Sequence, residues 1–161
     1  MSGNLLHQGS VYPTEARTAE RMLADCRVLA ERLRGEGFTG LIGLDFCEYE
    51  DARSGRPEFF LAEINPRING STYPLGLASL LDPDHAEIGG FVCGRVRPAA
   101  RSFTELADRH RDLLLNGRSR LGALPYNVGY LPRGSCHLVV FGHTRADALA
   151  RWQRTLAAFA A

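Results

Sequence analysis

The spacing of hydrophobic positions in the first half of the chain changes from helix-like to strand-like. Between residues 14 and 34, apolar side chains recur about every 3.6 residues, which predicts an amphipathic helix with Thr14 as its N-cap. Two short apolar runs follow, and the polar stretch between them holds the turn signal Ser54-Gly55. The pattern predicts a β-hairpin over about residues 39–65.

The second half of the chain predicts a smaller arrangement of helices and strands. The expected elements are a short helix at 73–81, a strand at 91–96, a helix from Ser102 to Asn116, a hairpin of 121–130 and 135–143, and a closing helix from Thr144. Both later helices start with a hydroxyl residue followed three positions on by an acid, which is typical of a capping box. The predicted fold class is α+β, with an antiparallel sheet packed by helices.

Polar residues with metal-binding chemistry end the second apolar run, in the segment FLAEINPRINGST at 60–72. Glu63 and Asn65 are two residues apart, so both side chains leave the same face of an extended strand. Pro66 ends the strand, and Arg67 follows in a turn. Two oxygen ligands beside a guanidinium suit Mg²⁺ bound to a polyphosphate, because hard oxygens bind the metal and the guanidinium donates to phosphoryl oxygens.

A second carboxylate, Asp45, lies in the first apolar run, GLIGLDFC at 40–47, which predicts a buried strand. If the hairpin turns near Ser54, Asp45 falls opposite Glu63, and the two Cβ atoms are about 4.5–5.5 Å apart. Two carboxylates at that distance repel unless a cation lies between them or one is protonated. A bound Mg²⁺ is the simplest explanation.

At these residues the chain resembles the C-terminal half of the ATP-grasp superfamily of carboxylate–amine ligases. In that fold a helix leads into a glycine-rich strand with an aspartate, a hairpin follows, and the returning strand ends in E-x-N-P-R. The corresponding parts here are the helix at 14–34, GFTGLIGLDF at 37–46 and EINPR at 63–67. The resemblance covers about residues 14–75, and the last segment is also similar to peptide ligases of the pheganomycin type.

The resemblance implies a fold and a set of roles. The fold would be an ATP-grasp C-terminal lobe at 1–81, packed as one globular unit with a small α+β extension at 82–161. Asp45, Glu63 and Asn65 would hold Mg²⁺ or Mn²⁺ against the ATP phosphates, and Arg67 would stabilise the transferred phosphoryl group. The residues expected beside the ATP and acyl-phosphate site are Asn69, Gly70, Ser71 and Thr72.

The resemblance also implies a partner, because all 19 basic residues are arginine and ATP-grasp enzymes bind phosphates with lysines from their N-terminal half. We expect that half in the same parent chain or a separate polypeptide, so that these 161 residues are a C-terminal portion with an incomplete ATP site. The substrates would be a small carboxylate and an amine. The alternative is a non-catalytic subunit or degenerate half-domain that acts through a partner chain. An uncovered cleft face would favour self-association.

Composition narrows the function classes further. Nineteen basic against 18 acidic residues give a net charge of +1, which does not favour nucleic acid or anionic membranes as partners. The four cysteines are far apart and form no C-x-x-C pair, so the sequence does not predict a zinc site. It predicts buried thiols in a reducing cytoplasm. No signal peptide opens the sequence and no apolar run reaches membrane-spanning length. A cytoplasmic location is expected.

Plainer interpretations stay open for the same residues. Glu63 and Asn65 are also compatible with a polar strand edge that leads into a proline turn. Arg67 is compatible with an exposed turn residue or a structural partner of Glu63. Asp45 is harder to explain without a ligand, since an unpaired acid inside an apolar strand is costly to bury.

Overall fold

The protein has the predicted α+β architecture, with antiparallel sheets and helices. The structure is a computed structural model and describes residues 9–160. Its elements in chain order are β1 (Gly9–Tyr12), α1 (Ala19–Gly35), β2 (Gly43–Glu50), β3 (Pro57–Asn65), α2 (Thr72–Leu81), β4 (Gly90–Val96), α3 (Phe103–Arg109), β5 (Gly122–Tyr126), a 3-10 helix (Val128–Arg133), β6 (Cys136–Gly142) and α4 (Arg145–Phe159). None of the helices within 9–160 is both long and apolar enough to cross a bilayer.

The chain divides into two compact units. Residues Thr14–Asn69 form the smaller unit, which contains α1 and the hairpin of β2 and β3. The described residues before Thr14 and after Asn69 form the larger unit. The boundary predicted from the sequence between residues 81 and 82 stays a prediction.

The larger unit is built on a four-stranded antiparallel sheet in the order β1-β4-β6-β5. On one face, Leu138 and Val140 pack with Trp152 of α4. On the other face, Val139 and Phe141 pack with residues of α2. Four consecutive residues of β6, from Leu138 to Phe141, are completely buried, so this strand is the centre of the core.

The N-caps of both predicted capping boxes are confirmed, and in each the acid accepts from the backbone N–H of the residue before the cap. The Ser102 hydroxyl accepts a hydrogen bond from the backbone N–H of Glu105 at 3.1 Å, and the Thr144 hydroxyl accepts one from Asp147, also at 3.1 Å. The predicted end of α3 at Asn116 is wrong, because the helix stops at Arg109. The backbone of residues 113–115 instead exchanges hydrogen bonds with Ala123, and a backbone bonded to a strand edge cannot continue the helical ladder.

Two expectations about the start of the chain are also corrected. α1 begins at Ala19, because the Thr14 hydroxyl accepts from Ala16 in a local turn and does not cap a helix. The polar lead-in predicted for 1–13 lies partly outside the described residues, and its last residues form the edge strand β1. Gly9 is required there, since at φ +152° a side chain would collide with the carbonyl group of Cys93.

Candidate functional site

The hairpin register brings the two predicted carboxylates together. Asp45 of β2 and Glu63 of β3 are directly opposite each other, which confirms that prediction. From the turn, the ladder is regular as far as the Phe46–Leu61 pair and then shifts by one residue. Ala62 is the extra residue, so a bulge in β3 moves Glu63 into line with Asp45. Without this bulge, Asp45 would lie opposite Ala62.

Asn65 joins the same face of the hairpin. It pairs with Gly43, which is two residues before Asp45 and therefore on the same side of β2. Gly43 matters because a Cβ atom there would lie 3.5 Å from the Cβ atom of Asn65 and would collide with the side-chain amide of Asn69. The face thus carries two carboxylates and an amide, with room left by a glycine.

Arg67, Asn65 and Asp45 form a chain of hydrogen bonds. The Arg67 guanidinium donates through Nη2 to Asn65 Oδ1 at 3.1 Å, and Asn65 donates through Nδ2 to Asp45 Oδ2 at 2.9 Å. This amide orientation follows from charge, because the flipped amide would put its oxygen against the carboxylate and its NH₂ against the guanidinium. Arg67 also donates through Nη1 to the carbonyl of Ile68 at 3.3 Å.

The expectation that β2 is a buried strand is wrong. Asp45 and Glu63 are exposed, whereas Asn65 is only 6% exposed. α1 lies on the opposite face of the hairpin, where the Arg21 guanidinium is 5.0 Å from the centre of the Phe59 ring. Water screens exposed carboxylates, so the pair can coexist without a metal. Convergence of the ligands, rather than the cost of burying them, is what favours a cation here.

α1 is anchored to the hairpin by a second set of polar contacts. The backbone N–H and hydroxyl of Thr18 donate to one carboxylate oxygen of Glu48 at 2.7 and 2.6 Å. The hydroxyl hydrogen bond is the main cause that lowers the pKa of Glu48. Arg21 donates to Glu58 at 2.7 Å. These contacts fix the helix against β2 and β3 and leave the face with Asp45 open.

The donor chemistry of the face fits a hard divalent cation in part. Asp45 and Glu63 offer carboxylate oxygens, the ligands that Mg²⁺ and Mn²⁺ prefer. Asn65 fits only through Oδ1, which here accepts from Arg67. Across residues 9–160, no group of three or more His, Cys, Asp or Glu side chains is arranged to hold a metal. The two carboxylates would therefore be the core of such a site, and the amide would join it by releasing Arg67.

The residues predicted beside the nucleotide are divided between the two units. Asn69 is the last residue of the smaller unit and lies against Gly43. Gly70 belongs to the larger unit, Ser71 precedes α2, and Thr72 is the first residue of that helix. The hairpin thus gathers all three predicted metal ligands and Arg67.

Sequence reasoning missed the roles of Gly43 and Ala62. The signal for Gly43 was available, since a glycine two residues before Asp45 sits on the same face as the acid. Ala62 carries no chemical signal, because a bulge is visible only once the strands are paired. Comparisons with models of protein families, with curated proteins and with solved structures gave no match to this chain.

Proposed function

We propose that this chain supplies the metal- and phosphate-binding lobe of an ATP-dependent carboxylate–amine ligase of the ATP-grasp type. The observation that carries the proposal is the paired register of Asp45 and Glu63, with Asn65 on the same face and Arg67 bonded to it. The motif EINPR and the helix–hairpin order around it support the same assignment.

In the proposed reaction, the γ-phosphoryl group of ATP moves to an oxygen of the substrate carboxylate, which gives an acyl phosphate and ADP. An amine then attacks the acyl carbon, inorganic phosphate leaves, and the nitrogen loses a proton to give an amide. Arg67 would donate to the phosphoryl oxygens and stabilise the charge that develops during transfer. In the structure it donates to Asn65.

Asp45, Glu63 and Asn65 would hold Mg²⁺ or Mn²⁺. When bound, the cation neutralises the charge of the phosphate oxygens. The chain itself has to keep the two carboxylates at a fixed separation, and the antiparallel ladder on both sides of the bulge does so. ATP would be the co-substrate, and a small carboxylate and an amine the other two.

The proposal includes a lysine-bearing half, from the parent chain or a separate polypeptide, since this sequence contains no lysine to bind the remaining phosphates. The smaller unit carries exposed apolar side chains that such a half would cover. They are Leu23, Val28, Leu41, Tyr49, Phe60, Ile64 and Ile68. Without it, the same surface favours self-association. A cytoplasmic location, where ATP is plentiful, is part of the proposal.

One observation favours a second candidate, a non-catalytic lobe that acts through a partner chain. The hydrogen bonds from Arg67 to Asn65 and from Asn65 to Asp45 give each of these side chains a partner within the chain. A degenerate lobe would keep this chain of hydrogen bonds as a structural feature. The two candidates differ in one measurable property, namely whether a divalent cation binds at Asp45 and Glu63.

Paramagnetic broadening of NMR signals by Mn²⁺ tests this difference, because it detects even millimolar binding in the whole chain. We expect Mn²⁺ to broaden the backbone signals around Asp45 and Glu63 in the wild type. In Glu63→Gln we expect Mn²⁺ binding to be weaker by about tenfold or more, since one of the two charged ligands is lost. Glu50→Gln is the matched control, because Glu50 is an exposed acid of the same hairpin outside the proposed ligand set.

Equal broadening in the wild type, Glu63→Gln and Glu50→Gln would refute the metal assignment. No broadening at all would favour the non-catalytic lobe. Ligase activity is then tested by mixing the chain with a lysine-bearing half, ATP, Mg²⁺, a carboxylate and an amine, and measuring the ADP release that depends on the carboxylate and the amine. Activity that survives Glu63→Gln in this mixture would contradict the proposed chemistry even if Mn²⁺ binds.

A further inference from the structure

The larger unit contains a pocket of about 100 Å³ whose lining includes Gly70 but neither Arg67 nor any of the proposed metal ligands. It opens on the sheet face that α2 packs against, at the end of the strands. Its polar lining comes from Arg95, Tyr126, Asn127 and His137. Among the described residues that line it there is no aspartate or glutamate.

Three of these side chains form one row across the sheet. Arg95 of β4 pairs with His137 of β6, and His137 pairs with Tyr126 of β5. Directly opposed side chains in an antiparallel sheet share a face and have Cβ atoms about 4.5–5.5 Å apart. The next row on the same face is Cys93, Val139 and Leu124, so a polar row ends a face that is otherwise apolar.

Each polar group is held in place by a neighbour. Arg95 donates through Nη2 to the buried Ser135 hydroxyl at 3.0 Å, and the Asn127 amide lies 3.3 Å from Nδ1 of His137. Asn127 does so from a left-handed backbone conformation, with φ of +52°. Residues kept in such sparsely populated conformations concentrate at functional sites. Fixed donors favour binding because little conformational freedom is lost when a ligand arrives.

One wall of the pocket is aromatic. The rings of Tyr73 and Tyr126 are stacked with centres 6.3 Å apart, and the Tyr126 ring lies 5.3 Å from that of His137. Burial raises the pKa of Tyr126 to about 12 and raises that of Cys93, so both groups are neutral at pH 7. The one permanent charge in the lining is therefore the guanidinium of Arg95.

We propose that this pocket binds the carboxylate of a small aromatic or flat monoanion, with Arg95 and Asn127 donating to the carboxylate and Tyr73 and Tyr126 contacting the adjoining ring. A single guanidinium matches one negative charge, and its planar donors match a carboxylate. The volume is well below the roughly 300–1,000 Å³ of a complete small-molecule site. It therefore takes one end of the ligand and leaves the rest outside.

Titration of the whole chain with benzoate, followed by ¹H–¹⁵N NMR, tests the proposal. We expect saturable shifts of the signals of Arg95, Asn127 and His137, with a Kd on the order of 1 mM for so small a ligand. In Arg95→Gln we expect binding at least about tenfold weaker, equivalent to about 1.4 kcal/mol. Arg111→Gln removes the same charge from an exposed residue of the same unit that does not line the pocket, and should bind like the wild type.

A second variant guards against misfolding of the first. Asn127→Gly keeps the left-handed backbone accessible and removes only the amide, so we expect a normal spectrum and binding weakened about threefold or more. Unchanged benzoate binding in Arg95→Gln would overturn the proposal. So would tighter binding of inorganic phosphate than of benzoate, since the site would then select charge rather than the carboxylate and ring. Shifts that do not saturate in the wild type would also overturn it.

Discussion

Gly43→Ala tests whether the open face of the hairpin depends on a missing side chain. Gly43 lies opposite Asn65 in the register, and its backbone has an ordinary strand conformation that alanine also adopts. An added methyl group would meet the side-chain amide of Asn69 well inside van der Waals contact, and its Cγ atom at 3.4 Å. The Asn69 amide must therefore move, while the strand itself can stay.

The magnitude follows from two opposing terms. Alanine in a strand gains roughly 0.5–1 kcal/mol over glycine, because the unfolded chain has less freedom to lose. Asn69 has to withdraw by roughly 1.5–2 Å to reach a contact distance of about 3.5–4 Å. Loss of the interaction that Asn69 now makes costs roughly 0.5–1.5 kcal/mol. The two terms nearly cancel, so we expect a change in the free energy of unfolding within about 1 kcal/mol of zero.

Urea unfolding measures the sum of the two terms, and the NMR signal of the Asn69 side-chain amide shows whether Asn69 moves. The matched control is Gly35→Ala at the end of α1, where an added methyl group meets nothing within 4 Å. It should stabilise the protein by about 0.5–1 kcal/mol. We expect the Asn69 signal to shift in Gly43→Ala and to stay in place in Gly35→Ala. If Gly43→Ala stabilises as much as the control and leaves the signal unmoved, the steric reasoning fails.

Two further predictions concern the larger unit. Leu138→Ala in the completely buried centre of β6 should lower the free energy of unfolding by about 2–5 kcal/mol in urea; Leu80→Ala, at a side chain 78% exposed, should change it by less than about 0.5 kcal/mol. Asp82 has a pKa lowered from 3.8 to about 2, chiefly by the backbone hydrogen bond from Ile88, so its contribution is complete above pH 3.8 and is lost as the pH falls towards 2. Thermal melts over that range should show a steeper loss in the wild type than in Asp82→Asn, which keeps only the contribution of other carboxylates with lowered pKa values such as Glu48; parallel curves would contradict it.

Elements with strong local signals were predictable from the sequence. The helix α2 ends at Leu81, directly before Asp82-Pro83, and α4 starts after the Thr144 capping box with a clear apolar stripe. These signals are local because the capping group, the proline and the apolar period all lie within a few residues of the element they define. The hairpin of β5 and β6 was predictable for the same reason, apart from the 3-10 helix in its connection.

Elements that depend on distant partners were not predictable. β1 has only four residues, and it becomes a strand because it pairs with β4, far along the chain. α3 was predicted to continue through Leu113, Leu114 and Leu115, which suit a helix well. Their backbone instead pairs with Ala123 at the edge of β5, so a tertiary contact overrode the local preference.

The register of the candidate site was predicted correctly for a reason that the sequence does not contain. The sequence predicts a turn centred on Ser54, which places Asp45 opposite Glu63. The ladder actually closes at the Glu50–Pro57 pair, whose centre lies half a residue earlier, and a regular ladder from there would leave the carboxylates out of register. The bulge at Ala62 compensates. Pairing of the two acids thus depends on a backbone irregularity next to them, and since bulges re-aim side chains at functional sites, its position beside Glu63 is itself an argument for a ligand there.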